Sequence, residues 1–309
     1  MTISLNLHDF KKGLINKADF IQKNYVENYS ILFDLVDYLP MTDISKVEIT
    51  SEGVVMTYRR SGIRLSCEKK EYRTAPLETL NFMTYEEDEV SLFTKLLEGK
   101  KSFFDIGGNI GFYAIHAATL YPELKVSTFE PIPKMFEKLN QNVSLNNLGN
   151  RISTYNFGFS NKKDEVSFFI YPFGGVNASM VNVSDNTEAI EIKAKVVMLD
   201  DYVNDGNTAP DIIKCDVEGA EKLVLDGGLQ TIRNFKPVIL FELLRKWSAK
   251  FNYHPNEVLS TLVDCGYQCF VSKNGSLKSF TKMDDATTET NFFFLHNQKH
   301  AEHIKKLCN

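Results

Sequence analysis

The residues best suited to chemistry in this chain sit at the ends of short apolar runs. Residues 103–111 read Phe-Phe-Asp-Ile-Gly-Gly-Asn-Ile-Gly, so Asp105 tips an apolar stretch and Gly107, Gly108, Asn109 and Gly111 follow at once. An apolar run ending in a turn signal describes a buried strand, and glycines let the backbone turn tightly enough for a ligand to approach main chain. Helix-like spacing resumes at Phe112, Ile115, His116 and Leu120, which sets the free N–H groups of a helix start beside the same crevice. Nineteen residues after Gly111, Glu130 closes a second apolar run over 126–129 and precedes Pro131. A carboxylate so placed can accept both hydroxyls of a ribose.

Two kinds of nucleotide compete for such a turn. A nicotinamide or flavin enzyme needs glycines at its first, third and sixth positions. Starting from Gly107 puts Asn109 third and Phe112 sixth, and starting from Gly108 puts Ile110 third and Tyr113 sixth. Asp105 would also repel a pyrophosphate, whereas it can pair with the ammonium of a methionine moiety. The turn and Glu130 therefore point to S-adenosylmethionine as cofactor.

A third segment, Asp-Ile-Ile-Lys-Cys-Asp-Val-Glu-Gly-Ala-Glu over 211–221, reads as another buried strand with a charged tip, followed by a helix ending near Gly227 and Gly228. With the Asp105 turn, the Phe129-Glu130-Pro131 triplet and Leu199-Asp200-Asp201-Tyr202, it resembles the FkbM-type methyltransferases over about residues 85–295. Gly108 stands where that family often has alanine, and Cys215 where it often has an aliphatic residue. The resemblance implies transfer of a methyl group from S-adenosylmethionine to an oxygen, commonly a hydroxyl of a sugar, polyketide or other secondary metabolite. It also implies that Tyr85 and Glu86 cover the methionine end of the cofactor.

Methyl transfer from an activated sulfonium requires an acceptor oxygen held in line and a group to take its proton. Asp216 and Glu242, at the tips of the fourth and fifth strands, are the catalytic candidates, and Asp216 is also a candidate for binding the cofactor. Lys214 shares a face with Asp216 and can tune its charge. The bland readings are an Asp216 that holds only ammonium or water, a Glu218 that serves only a helix start, and a Glu242 paired with Arg245. Glu221 reads as a carboxylate that stabilises the motif or the helix surface. His254, ahead of Pro255, is an outside candidate base, and His116 reads as a packed core histidine. Asn156, after the third strand, is a candidate adenine contact and equally a common turn former. Clustered carboxylates suit magnesium, but the spacing demands no metal.

The elements that must position these groups follow from hydrophobic periodicity. Strands are expected over 102–106, 125–129, 152–157, 212–216, 237–242, 267–272 and 291–296, alternating with helical stretches. That pattern predicts an α/β fold with a doubly wound, Rossmann-like sheet of seven strands, the last antiparallel, as in class I methyltransferases. Ligands in such sheets sit beyond the carboxyl ends of the strands. Runs over 166–171 and 190–199 predict a hairpin around a mobile polar loop at 172–188. An N-terminal region, 1–84, is expected to hold an amphipathic helix ending at Pro40 and a β-meander, ahead of a methyltransferase domain at 85–298 and a tail at 299–309. The meander could cap the site, pair two chains into a homodimer, or simply pack.

The 309 residues carry 35 basic and 40 acidic side chains, a net charge of -5, with no long basic stretch. Nucleic acid is therefore not an expected partner, and the expected partner is a small-molecule or glycan hydroxyl acceptor. No integral membrane segment is legible, and the charged first twenty residues suggest a cytoplasmic enzyme. The five scattered cysteines make a poor zinc signal. Two other readings remain open: a methyltransferase fold retained as a non-catalytic binding or assembly subunit, and a dinucleotide-dependent oxidoreductase.

Overall fold

A computed structural model describes residues 2–69, 71–170, 178–182 and 188–308. The chain opens with α1 (Thr2–Lys11) and α2 (Lys17–Asn24), whose first turn is capped by the Asn16 side chain. A π turn at Tyr25–Tyr29 leads into α3 (Ser30–Tyr38), and a 3-10 turn containing Pro40 ends the helical course as expected. The amphipathic pattern does not bury its apolar side: Ile21, Phe33 and Val36 all face solvent. Strands β1 (Ile44–Thr50), β2 (Gly53–Tyr58) and β3 (Arg64–Cys67) form the expected antiparallel meander. Helices α4 (Ala75–Phe82) and α5 (Glu87–Leu96) follow.

The main sheet then begins with β4 (Ser102–Ile106), α6 (Phe112–Leu120), β5 (Lys125–Phe129), α7 (Pro133–Leu145) and β6 (Ile152–Tyr155). A side sheet of β7 (Gly158–Phe159), β8 (Asp164–Ile170), β9 (Ala178–Ser179) and β10 (Ile190–Val197) interrupts it. Here β8 and β10 pair antiparallel, forming the expected hairpin, while the loop expected to be mobile lies largely outside the described residues. Helix α8 (Leu199–Asn204), β11 (Ile212–Cys215), α9 (Glu221–Asp226), α10 (Leu229–Phe235) and β12 (Val238–Glu242) resume the alternation. The chain closes with α11 (Arg245–Ser248), α12 (Pro255–Asp264), β13 (Tyr267–Lys273), β14 (Ser276–Phe280), β15 (Asn291–His296) and α13 (Ala301–Leu307).

The strand order is β14-β13-β15-β12-β11-β4-β5-β6, with β15 antiparallel to β12. All seven expected strands are present, and β14 adds an eighth through a tight turn at Asn274 and Gly275, both at positive φ. That Asn-Gly pair is the hairpin signal that the seven-strand reading passed over.

Side chains alternate across the sheet. Phe103, Ile212 and Val238 join one apolar layer beneath α5, α6 and α7, while Phe104, Ile213 and Ile239 join the opposite layer beneath α9 and α12. Fully burying each such residue contributes about 1.5–3 kcal/mol. Ile44, Met56, Tyr58 and Leu65 of the meander belong to the first layer, so the meander shares the core of the sheet. Among the described residues, no helix is long and apolar enough to cross a membrane.

Candidate active site

Strand succession runs β4, β5, β6 in one direction and β11, β12 in the other, so the order reverses between β4 and β11. A crevice must open there beyond the strand ends, because the connections leave to opposite sides. A cleft of about 300 Å³ lies at that point, lined by Tyr85, Glu86, Asp105, Gly107, Asn109, Asp216 and Glu242 among others. A smaller cavity of about 50 Å³, bounded by Glu130, Pro131 and Phe168, shares Gly107, Asn109, Asp216 and Glu218 with it.

The turn after β4 is shaped by close approach. Gly107 has φ +79, and a Cβ there would lie 1.9 Å from the Asp216 carbonyl oxygen. Gly107 and Gly108 both donate their N–H groups to the Phe129 carbonyl at 3.0 Å. A Cβ on Gly108 would meet Thr128 Oγ1 at 2.0 Å, so this chain fills with a threonine the room that an alanine at 108 would take. Gly111 caps α6 and does not line the cleft; its own Cβ would strike Leu139.

Glu130 is 5% exposed. Its Oε2 accepts the Asn109 N–H and its Oε1 the Ile132 N–H, each at 2.9 Å, so it staples the two strand ends together. Each oxygen keeps a second lone pair for a ligand hydroxyl. Burial pushes its pKa up to about 7, against the pull of those two N–H groups. Asp105, deeper still, is raised to about 6 by burial, with Lys214 opposing. Asn156 spends its amide N–H groups on the Glu130 and Pro131 carbonyls, which makes it a brace for the loop, and it does not line either cavity.

The tip of β11 carries the strongest charge coupling. Lys214 Nζ lies 3.0 Å from Asp216 Oδ2 and 4.9 Å from the centre of the Tyr113 ring. Burial works against its charge, yet Asp216, Asp105 and Glu86 together raise its pKa, so it stays protonated. Burial also opposes ionisation of Asp216, but Lys214, with Glu242 beside it, outweighs that and holds the carboxyl below its ordinary value. Glu242 moves the opposite way, pushed well up by burial and by Asp216. Of the two carboxyls, ionisation is therefore favoured at Asp216 and the protonated form at Glu242. Glu86, bonded to the Tyr113 hydroxyl, is raised by burial as well. The alternative partner for Glu242 is otherwise engaged, since Arg245 pairs with Asp285.

The loop after β11 is held from below. Glu221 is 1% exposed, and its Oε1 accepts from Val217 N and Gly219 N at 3.1 Å. The Tyr253 hydroxyl donates to the Gly219 carbonyl at 2.8 Å and sits 3.2 Å from Glu221 Oε2. This brace fixes Glu218 in the left-handed region, φ 55, and turns its carboxyl into the cleft. Glu221 is thus the motif-stabilising carboxylate that its sequence context suggests.

Three acceptors at the junction of the two cavities are shielded from solvent and receive no hydrogen bond: Asn109 Oδ1, Asp216 Oδ1 and Glu218 Oε2. Unsatisfied buried acceptors are costly, and they mark a place for a ligand that brings donors or positive charge. A cationic nucleoside with ribose hydroxyls fits that demand. Among the described residues, no group of three or more His, Cys, Asp or Glu side chains is arranged to hold a metal ion.

Two histidines expected at the margins are structural. His254 caps α12, accepting from Asn256 N, and lies outside the cleft. His116 is buried and bonded to Thr94. The sequence reading missed the cleft mouth, where Arg73, Thr74, Glu78, Lys246 and Trp247 gather. The lone tryptophan, just after the fifth strand, was the available signal.

Fold and strand-end site together define a class I, Rossmann-like methyltransferase architecture. The sequence profile described as "Methyltransferase FkbM domain" matches residues 105–269, and the chain belongs to that family. It is 27% identical over 151 residues to "Methyltransferase sdnD" of Sordaria araneosa, covering 40% of this chain and 58% of that one. It is 26% identical over 156 residues to "Hexuronic acid methyltransferase AglP" of Haloferax volcanii, covering 50% and 61%. The matched part thus spans about three fifths of these curated relatives. Among solved structures, methyltransferase FkbM from Methylobacillus flagellatus superimposes with a TM-score of 0.40 at 18% identity, over 63% of this chain and 43% of that one.

Proposed function

We propose that this chain is an S-adenosylmethionine-dependent methyltransferase acting on a hydroxyl of a sugar, glycan or secondary metabolite. The observation that carries the reading is the set of unsatisfied acceptors, Asn109 Oδ1, Asp216 Oδ1 and Glu218 Oε2, gathered where the strand order reverses. Glu130 offers its remaining lone pairs to the ribose, Asp105 and Glu86 supply negative charge toward the methionine ammonium, and Tyr85 covers that end. When bound, the cofactor supplies a methyl group already activated on a sulfonium.

Asp216 serves as the base in this reading. It is ionised, its Oδ2 is held by Lys214, and its Oδ1 has no partner. As the new carbon–oxygen bond forms, the acceptor oxygen gains positive charge and its proton becomes strongly acidic, so even a carboxylate of low pKa can take it. Glu242, pushed up by burial and by Asp216, is the member of the pair that favours the protonated form. Lys246 lies over the Trp247 ring at 5.4 Å and Arg73 stands 4.0 Å from Glu78, so both cations line the cleft, a feature that suits a sugar bearing a carboxylate. The Haloferax relative is named for a hexuronic acid, which supports screening uronic acids first.

The test is calorimetry with S-adenosylmethionine and S-adenosylhomocysteine, followed by transfer of a radiolabelled methyl group across sugars, uronic acids and glycosylated metabolites. Saturable binding of both nucleosides and label in one acceptor class are expected. Failure of both nucleosides to bind overturns the reading, and binding without transfer to any acceptor moves the chain to a non-catalytic role.

A further inference from the structure

A second cavity of about 330 Å³ opens between the meander and the helices flanking β4. Its size falls within the range of about 300–1,000 Å³ typical of small-molecule pockets. Tyr58 of β2, Val90 of α5 and Phe112, His116 and Leu120 of α6 form its walls, together with Tyr85. Tyr85 and Phe112 also line the catalytic cleft, and their rings meet edge to face at 4.8 Å. Phe112 further contacts Tyr58 at 5.3 Å and stacks on His116 at 5.9 Å. One ring at the head of α6 is therefore the floor of the new cavity and a wall of the old one. The segment that carries Tyr85 is held in an uncommon shape, with Met83 at φ 71 and Glu86 at φ 42, and the Met83 carbonyl is tied to Asp43 N at 2.7 Å.

The cavity presents no unbalanced charge at its aromatic end. At its rim Arg60 pairs with Glu87 at 2.7 Å and approaches Asp43 at 3.7 Å, while Lys95 donates to the Gly275 carbonyl at 2.9 Å. Inside, the Thr94 hydroxyl spends its one proton on the Val90 carbonyl at 2.7 Å, so its 3.0 Å contact with His116 Nε2 must have the imidazole as donor. Burial holds that ring neutral, with its pKa pushed down to about 4. A charged ligand would meet no counter-charge at the aromatic end, since Lys95 stands exposed at the rim, and would lose its hydration there, whereas an apolar ring would find aromatic faces on several sides.

We propose that this second cavity is a binding site for an uncharged, ring-sized apolar molecule, seated against the Phe112 and Tyr85 rings that also line the catalytic cleft. Its ligand and the cofactor occupy separate spaces. The test titrates the full chain with indole by calorimetry and by ligand-observed NMR, alone and with saturating S-adenosylhomocysteine. One saturable equivalent is expected in both conditions. Ser91→Trp, which places an indole in the cavity from α5, should weaken binding at least tenfold while leaving S-adenosylhomocysteine affinity within twofold. Leu120→Trp, at the half-exposed end of α6, provides a second blocking variant if the first does not fold. Absence of saturable indole binding overturns the proposal, as does displacement of indole by S-adenosylhomocysteine or undiminished binding in both folded variants. Saturable indole binding in a chain that shows no binding of S-adenosylhomocysteine itself would support the cavity and count against the methyltransferase reading.

Discussion

Glu130→Gln separates the structural role of this carboxylate from its role toward a ligand, because the two effects have opposite signs. In the cofactor-free chain its pKa stands at about 7 against an ordinary value of 4.5. A group raised in the folded state contributes stability that is fully present below its unfolded pKa and is lost as pH rises through the folded one. The loss between pH 4.5 and 7 amounts to about 3 kcal/mol, at about 1.4 kcal/mol per pH unit. Glutamine cannot titrate, so its stability lacks that decline. It keeps one acceptor for the Asn109 and Ile132 N–H groups and leaves the other without one, which costs about 1–3 kcal/mol. In urea unfolding, the variant should trail the wild type by that amount near pH 4.5 and draw level with it or pass it by pH 8. Its affinity for S-adenosylhomocysteine should nonetheless fall at least tenfold at pH 8, where the wild-type carboxylate is available to the ribose. Parallel stability curves across this pH range would refute the assignment of a proton to Glu130. Unchanged affinity would refute its contact with the ribose.

Asp216→Asn should lower methyl transfer at least a hundredfold with little change in S-adenosylhomocysteine binding, whereas Glu242→Gln, which imitates the protonated acid, should stay within about tenfold of wild type. Equal losses in the two variants would show that the pair does not divide its proton as described. Gly107→Ala drives a Cβ to 1.9 Å from the Asp216 carbonyl, and should weaken nucleoside binding at least a hundredfold even in chain that remains folded by circular dichroism. Glu221→Ala strips acceptors from Val217 and Gly219 and should cost about 2–5 kcal/mol in urea unfolding; a loss under 1 kcal/mol would deny it the bracing role. Finally, Asp105 and Glu130 hold protons up to about pH 6 and 7. A cation drawn to their ionised forms must displace those protons, so S-adenosylmethionine should bind more tightly as pH rises from about 5.5 to 8. Binding enthalpies that do not differ between phosphate and Tris buffers would contradict that release.

The strand tips were legible because buried parallel strands read as continuous apolar runs, so a charged residue that ends one stands out. Asp105, Glu130, Asp216 and Glu242 were found in that way, and all four line the paired cavities. What escaped depends on contacts between distant segments. Arg73 reaches the cleft because its loop docks on α7 through Glu71, which pairs in the interior with Lys138 at 2.6 Å, and no local pattern announces a pair 67 residues apart. The work of Asn156 was invisible for a similar reason. Whether an amide contacts a ligand or braces a neighbouring loop depends on which carbonyls the next strand brings near it.

The unequal protonation of Asp216 and Glu242 follows from strand register. β11 and β12 are parallel neighbours with Lys214 opposite Leu240 and Cys215 opposite Phe241, so the next residues along, Asp216 and Glu242, come side by side at the sheet edge. Side chains two apart share a face. Asp216 therefore has an ammonium two residues behind it, whereas Glu242 has only Leu240 there. Two carboxyls side by side in a half-buried cleft disfavour double ionisation, and the lysine favours Asp216 as the ionised one. The same period that sends Phe103 and Phe104 to opposite layers thus favours ionisation of the carboxyl proposed as the base. Moving the cation across, as Lys214→Leu combined with Leu240→Lys, should move the ionised group from Asp216 to Glu242.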